Sequence, residues 1–189
     1  MPEIPVHRLI SARRSARAFD PRRPVEDEKI SAILEAARWA PSCANRQSWR
    51  YVVCRGSSLA ALRDCLNPGN YWAVHAPLIA AAVTRSDLGC RITGRDYAGL
   101  DLGLSMESLI LQCVAEGLIG HPIAGFDEEK AKTALAIPSD HRIFALIIVG
   151  YPGSEDILDE TALAKEKAPR TRLPPEETVF WEGWGKPRT

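Results

Sequence analysis

Arg142-Ile-Phe-Ala-Leu-Ile-Ile-Val-Gly-Tyr151 is the stretch on which the fold turns. Its β-branched and aromatic residues run almost without a polar break, the composition of a strand buried on both faces. Such a strand belongs in the middle of a sheet, so the rest of the chain must supply neighbours for it. Leu78 to Thr84, L-I-A-A-A-V-T, is a second short apolar run, bounded by Pro77 and by Arg85-Ser86-Asp87. A third β-rich segment spans 49 to 54, beginning Trp49-Arg50-Tyr51-Val52-Val53.

Helical patterns separate these strands. From Asp27 to Trp39, Ile30, Ile33, Leu34 and Ala37 fall on one face, and Glu26, Asp27 and Glu28 sit where the helix dipole favours acids. Pro41 disfavours helical geometry at Ala40 and ends the run. A short helix from Ser58 to Leu66 follows Gly56-Ser57 and breaks at Asn67-Pro68-Gly69-Asn70. Tyr97 to Leu118 is the longest helical segment, and Leu100, Leu104, Leu109, Leu111 and Val114 spread round most of it. Two readings of that spread stand side by side: a central core helix, or one whose second face meets a partner subunit. Asp101, Glu107, Gln112 and Glu116 argue against a membrane span. Gly117 to Phe126 reads as a compact, glycine-punctuated connection, either a plain helix cap and turn or a place where backbone approaches a ligand. Asp127 is placed to cap a short helix running to about Ala136.

At 189 residues the chain is the size of one domain, and its 24 basic and 24 acidic residues balance. No global field draws it to nucleic acid or to a membrane surface. The five cysteines form no C-x-x-C pair and read as buried thiols in a reducing compartment, so no zinc site or disulfide framework is expected. Met1 to Ile10 lacks the apolar core of a signal peptide, and a cytoplasmic protein is expected. From Pro152 to Thr189 the pattern is that of a tail: a polar, partly helical tract, prolines around Arg170-Thr171-Arg172, then Phe180-Trp181-Glu182-Gly183-Trp184. Two tryptophans on an extended tail need a surface to bury them, and another subunit would provide one.

Three polar clusters stand out against this frame. Ala40 to Trp49, A-P-S-C-A-N-R-Q-S-W, sets Ser42, Asn45 and Gln47 between a helix stop and a strand start; their hydroxyl and amide groups both donate and accept, which suits the edge of a neutral heterocycle as well as it suits an ordinary polar turn. Arg13-Arg14-Ser15-Ala16-Arg17 gathers three guanidinium forks that match phosphate oxygens, though a solvated arginine-rich helix end has the same look. Arg170 and Arg172 form a second basic patch. There is no nucleophile and base pair of recognisable spacing, no G-x-G-x-x-G and no metal-ligand cluster; His7, His75, His121 and His141 are scattered, and His121 reads as structural.

Taken in order, R-R-S-A-R-A-F, the loop at 41 to 47, the turn P-I-A-G-F-D and the terminal R-T-R-L-P-P-E-E resemble the nitroreductase family of FMN-dependent oxidoreductases over nearly the whole chain. The resemblance implies a single α+β domain over 1–189, with a central, mainly antiparallel sheet flanked by helices. It implies an intertwined homodimer with FMN at the subunit interface and a tail reaching to the partner. By the same resemblance Arg13, Arg14 and Ser15 hold the FMN phosphate and ribityl chain, Arg17 faces the pyrimidine edge, and Arg170 and Arg172 complete the phosphate clamp. Pro41, Ser42, Cys43, Asn45 and Gln47 come from the other subunit, while Pro122, Ile123, Ala124 and Gly125 pass the flavin ring, the last two offering backbone toward N5. The activity implied is a ping-pong cycle in which NAD(P)H reduces the flavin and an electron-poor acceptor, a nitroaromatic or quinone, reoxidises it. No side chain is expected to act as catalyst. Other flavin reactions on this fold, among them dehalogenation, dehydrogenation and flavin fragmentation, and a non-enzymatic flavin-binding module are the alternatives. Three departures from relatives bear on the site: Ala124 replaces an acid, Ser48 replaces a proline with an expected loss of loop rigidity, and Trp72 stands near a flavin-contacting region where it would narrow the pocket. The short span between the second strand and the long helix implies an open site.

Overall fold

A computed structural model of the chain describes residues 5–187; the first four residues of the N-terminal stretch and the last two of the tail lie outside the described residues. Its centre is a four-stranded sheet in the order β1-β2-β6-β5, every pairing antiparallel, with β1 at Arg50–Cys54, β2 at Leu78–Thr84, β5 at Ile119–Ile123 and β6 at Arg142–Gly150. The long apolar stretch is indeed interior, flanked by β2 and β5. All of β2 is buried because its alternating residues feed two cores. Ile79, Ala81 and Val83 point to one and Leu78, Ala80 and Ala82 to the other.

On the first face lie α3 (Ser57–Arg63), α5 (Glu128–Leu135) and α6 (Glu160–Lys167), through Leu59, Leu62, Ala131 and Ala162. The second face is covered by α2 (Asp27–Arg38) and the long α4 (Ala98–Ala115), through Ile33, Ala37, Leu102, Leu109, Ile110 and Cys113. Asp127 caps α5 as its position in the sequence suggests, accepting from the Lys130 amide at 3.0 Å. Only one stripe of α4 enters the core: Leu100 and Leu104 stay 57% and 40% exposed. Its length and composition would allow a membrane crossing, yet it packs as the core helix against α2 and the sheet.

The region read as a glycine-punctuated connection contains β5. Pro122 has no amide to donate, which an edge strand tolerates and an interior strand does not. Gly120 lets that strand close on α4, since a Cβ there would come within 3.1 Å of Cys113 Sγ. The span between β2 and α4 holds one 3-10 turn, Ser86–Leu88, and a small hairpin of β3 (Arg91–Ile92) and β4 (Arg95–Asp96). Thr93 and Gly94 both have positive φ, 49° and 80°, the conformation that two-residue hairpins demand. Two short α-helices, α1 (Arg8–Ala12) and α7 (Pro175–Thr178), and further 3-10 turns at Cys43–Asn45, Pro68–His75 and Glu155–Ile157 join these elements.

Candidate functional site

The N-terminal segment that carries the arginines is fastened at almost every residue. The Arg13 carbonyl accepts from Arg170 Nη1 at 2.6 Å, and the Ser11 carbonyl accepts from the same guanidinium. Ala16 offers its carbonyl to His121 Nδ1 at 2.9 Å, and the Arg17 amide donates to Glu166 Oε2 at 3.0 Å. Gly153 N–H bonds the Ala18 carbonyl at 2.9 Å, in a place where any Cβ would lie 2.3 Å from the Phe19 backbone. Arg13 Nη1 reaches Ser15 Oγ at 3.3 Å and Arg14 Nη2 donates to the Ala168 carbonyl at 3.2 Å. Four guanidinium groups, those of Arg13, Arg14, Arg17 and Arg170, are thus gathered by one segment. Glu166, 3.7 Å from Arg17 Nη1, is the carboxylate paired with Arg17.

Arg172 is not drawn into this group; its guanidinium donates to the neighbouring Thr171 carbonyl at 2.7 Å. Trp72 presents almost no surface. It is 2% exposed, stacked between Phe19 (6.0 Å, 9°) and His121 (4.6 Å, 28°), with the Arg17 guanidinium 5.9 Å from its ring. A large aromatic next to a buried strand gains more from core burial than from lining a polar site. Trp72 therefore shapes the site indirectly, by supporting Arg17 from below.

His121 links the arginine segment to the turn that follows β5. A carbonyl partner can only accept, so Nδ1 carries a proton. Burial, with the nearby Arg17 and Arg13 charges adding to it against the Ala16 hydrogen bond, lowers its pKa to about 4. Pro122 and Ile123 continue from it in β5, and Ala124 is exposed beyond. Gly125 is clasped by Asn67 N–H at 3.1 Å and Asn70 Nδ2 at 2.8 Å, both onto its carbonyl. The asparagines read from sequence as a helix breaker thus position this turn.

The loop at 41 to 47 lies elsewhere. Ala40 and Trp49, which bracket it, belong to the core on the α2 and α4 face, whereas Ala16, Ala18, Phe19 and Trp72 belong to the opposite one. Ala44, Asn45 and Gln47 all have positive φ (49°, 55° and 50°), a concentration of strained backbone that only strong anchoring sustains. The anchors are Ser42 Oγ, which accepts from the Gln47 amide at 3.0 Å, and Asp101 of α4, whose Oδ1 accepts from the Cys43 amide at 3.0 Å. Asp101 Oδ2 takes the Ser48 hydroxyl at 3.2 Å, and Thr84 Oγ1 donates to the Ser48 carbonyl at 2.6 Å. Ser48 is completely buried. Rigidity that a proline would supply through its ring is supplied here by hydrogen bonds, so the expected loosening does not arise. Gln47 Nε2 contacts Asn45 O and Oδ1, both at 3.2 Å. A hydrogen bond with the Cys90 thiol, reinforced by burial, pushes the Cys43 thiol up to about 11, so it stays protonated at neutral pH. Pro41, Ser42 and Cys43 border a shallow apolar hollow with Ile92, Leu100 and Leu104.

The family model for the nitroreductase family matches residues 10–69 and 66–151. An uncharacterised 15.4 kDa protein of the ask 5′ region of Mycolicibacterium smegmatis is 34% identical over 130 residues, covering 69% of this chain and 86% of its own. An NADH dehydrogenase of Thermus thermophilus is 30% identical across 89% of this chain and 92% of its own. Among solved structures, an oxidoreductase containing FMN superposes with a TM-score of 0.87 at 27% identity, covering 99% of this chain and 96% of that one. A sequence match spanning both the arginine segment and the sheet, joined to a fold match over nearly every residue, places this chain in the nitroreductase family.

Proposed function

We propose that the chain is an FMN-dependent oxidoreductase that draws electrons from NAD(P)H and delivers them to an electron-poor small molecule such as a nitroaromatic or a quinone. The observation that carries this reading is the arginine cluster: the guanidinium groups of Arg13, Arg14 and Arg17 on one pinned segment, joined by Arg170 from the tail, with Glu166 paired to Arg17 alone, suit a phosphate monoester. That donor set fits FMN, whose phosphate is its one strongly charged group. The chemistry that FMN supplies when bound is two-electron transfer between nicotinamide and acceptor. Arg13, Arg14, Ser15 and Arg170 would hold the phosphate and ribityl chain. Arg17, steadied by Glu166 and Trp72, would face the pyrimidine edge, and the turn Pro122, Ile123, Ala124, Gly125 would present backbone to the ring. We give Arg172 no part in the clamp of its own protomer.

The second half of the site would come from another copy. Pro41, Ser42, Cys43, Asn45 and Gln47 lie on the sheet face opposite the arginines, so one flat ligand meets both sets only if two protomers associate. Exposed Leu100 and Leu104 beside that loop, and Trp184 at 92% exposed in the tail, are apolar surface that a homodimer would cover. The setting we propose is the cytoplasm, where five free cysteines are the ordinary state.

A visible spectrum with size-exclusion mass, followed by NADH and NADPH oxidation with a quinone present, tests the reading. A yellow dimer that turns over either nicotinamide supports it. Protein that takes up no added FMN overturns the cofactor assignment, and a flavin-loaded dimer that oxidises neither nicotinamide is a binding module instead.

A further inference from the structure

A second cationic site, a pocket, opens beside Arg46 of the 41 to 47 loop. Arg46 of that loop, Arg85, Ser86, Asp87 and Gly89 from the turn after β2, Arg91 of the β3 hairpin and Asp140 before β6 enclose about 700 Å³. Three guanidinium groups face two carboxylates there, and the five play different parts. Arg85 is held by both Asp87 and Asp140, which fixes its fork and neutralises its charge. Among the described residues, the guanidinium groups of Arg46 and Arg91 have no hydrogen-bonded or ion-paired partner. Asp96, across the hairpin from Arg91, feels the Arg91 charge but takes its hydrogen bonds from the Ser86 hydroxyl and the Ala98 amide. Two unengaged forks at the rim of a pocket with a rigid third are an arrangement for a divalent oxyanion.

We infer that this pocket receives a phosphate group of the nicotinamide dinucleotide, fixing the electron donor by its phosphorylated half. The inference rests on the reductase reading. Arg46 sits between Asn45 and Gln47, two of the residues given to the flavin, so a ligand in the pocket lies against the same loop. The flavin's own phosphate is accounted for by arginines on the other sheet face, and the proposed acceptors carry no phosphate. Of the reactants, the dinucleotide alone brings phosphates that need a cationic seat. Its pyrophosphate bridge and, in NADPH, its 2′-phosphate share the required chemistry.

Flavin-loaded protein would be mixed with NADH, NADPH and the phosphate-free donor 1-benzyl-1,4-dihydronicotinamide, following flavin bleaching as a function of donor concentration. For Arg91→Ala we expect the half-saturating concentration of a phosphorylated donor to rise about tenfold, the fold-change of one lost charge-assisted contact. The rate with the phosphate-free donor is the internal reference. A rise with NADPH alone assigns the 2′-phosphate, a rise with both assigns the pyrophosphate, and either supports the site. Calorimetric titration with adenosine 2′,5′-bisphosphate, on wild type and on Arg46→Ala, reads 2′-phosphate binding without turnover. Unchanged saturation by NADH and NADPH in both variants, or an equal loss with all three donors, overturns the inference. If the wild type is bleached by none of the three, the reductase reading itself fails and the donor site falls with it.

Discussion

The carboxylate of Asp101, 1% exposed in the first turn of α4, accepts the backbone N–H of Cys43 across 3.0 Å and so ties α4 to a loop 58 residues earlier in the chain. It turns the same group toward the Ser48 hydroxyl, and both contacts hold a loop with three left-handed non-glycine residues. Asp101→Ala leaves the partly buried Cys43 N–H without its acceptor and the Ser48 hydroxyl with only the Ala98 carbonyl at 3.4 Å, and the expected cost is about 2 kcal/mol. Asp101→Asn keeps one acceptor and should cost roughly half as much. Urea denaturation gives the stabilities, and flavin fluorescence titration should show FMN affinity falling in the same order. Equal stability of all three proteins would refute the anchoring role.

Ser48→Pro makes a sharper test, because two arguments disagree in sign. Rigid-loop reasoning expects proline to stabilise by restricting the unfolded chain. The structure removes that benefit, since Ser48 Oγ is one of the Asp101 partners and is itself wholly buried. We expect Ser48→Pro to lose about 1–3 kcal/mol, the cost of leaving a buried carboxylate oxygen short of its donor. A rise in thermal midpoint would mean that loop entropy outweighs the hydrogen bond.

Much of this architecture was legible because burial and periodicity agreed. The strand Leu78–Thr84 starts and ends where its apolar run does, and the long stretch at 142 could only be interior. β5 was hidden because its Ile-Gly-His-Pro-Ile sequence mixes signals: as an edge strand against α4 it needs glycine for closeness and tolerates proline, the residues that otherwise announce a turn. The arginine segment was legible as chemistry, yet nothing local told that Arg170 returns to it while Arg172 does not. Asp101 counted from sequence only as a polar residue against a membrane span, since a buried acid is recognisable only through partners distant in sequence. His121 read as structural, but that it stacks on a buried Trp72 was out of reach for the same reason, since that stack forms only in three dimensions.

Gly125 and Asn70 form a coupled pair beside the proposed flavin ring. A Cβ at Gly125 would lie 2.5 Å from Asn70 Nδ2, the atom that donates to the Gly125 carbonyl. Gly125→Ala must push that amide away, with an expected loss of about 1–2 kcal/mol and weaker FMN retention. In an Asn70→Ala background the same substitution has nothing to displace, so a double-mutant cycle should give a coupling of at least about 0.5 kcal/mol. Additive losses would place the effect in the backbone rather than in this contact.

Arg170 and Arg172 separate the arginine of the proposed clamp from its neighbour. Arg170 bonds the carbonyls of Ser11 and Arg13, so Arg170→Ala removes a positive charge and also frees the segment that orients Arg13. We expect FMN dissociation constants to rise at least about tenfold in Arg170→Ala, and the loss to shrink as salt increases. Arg172→Ala, which removes one contact to an adjacent carbonyl, should change affinity less than about threefold. Flavin fluorescence quenching at two ionic strengths measures both, and equal effects would show that the two arginines share the phosphate.

His121 gives the fold a defined acid sensitivity. Its pKa falls from an ordinary 6.5 to about 4 in the folded protein, chiefly through burial against Trp72, so the unfolded chain binds the extra proton first as pH drops. Unfolded protein therefore holds more protons between those two values, and stability must decline as pH falls from about 6.5 towards 4 and level off below. At about 1.4 kcal/mol for each pH unit of depression, the full effect is on the order of 3 kcal/mol. His121→Gln keeps a donor for the Ala16 carbonyl but cannot be protonated. It should be less stable than wild type at pH 7.5 because the aromatic stack is lost, and the gap should close or reverse near pH 4. Urea midpoints of both proteins across that range decide the matter: a gap independent of pH would mean that the ring is charged, or solvated, in the native state.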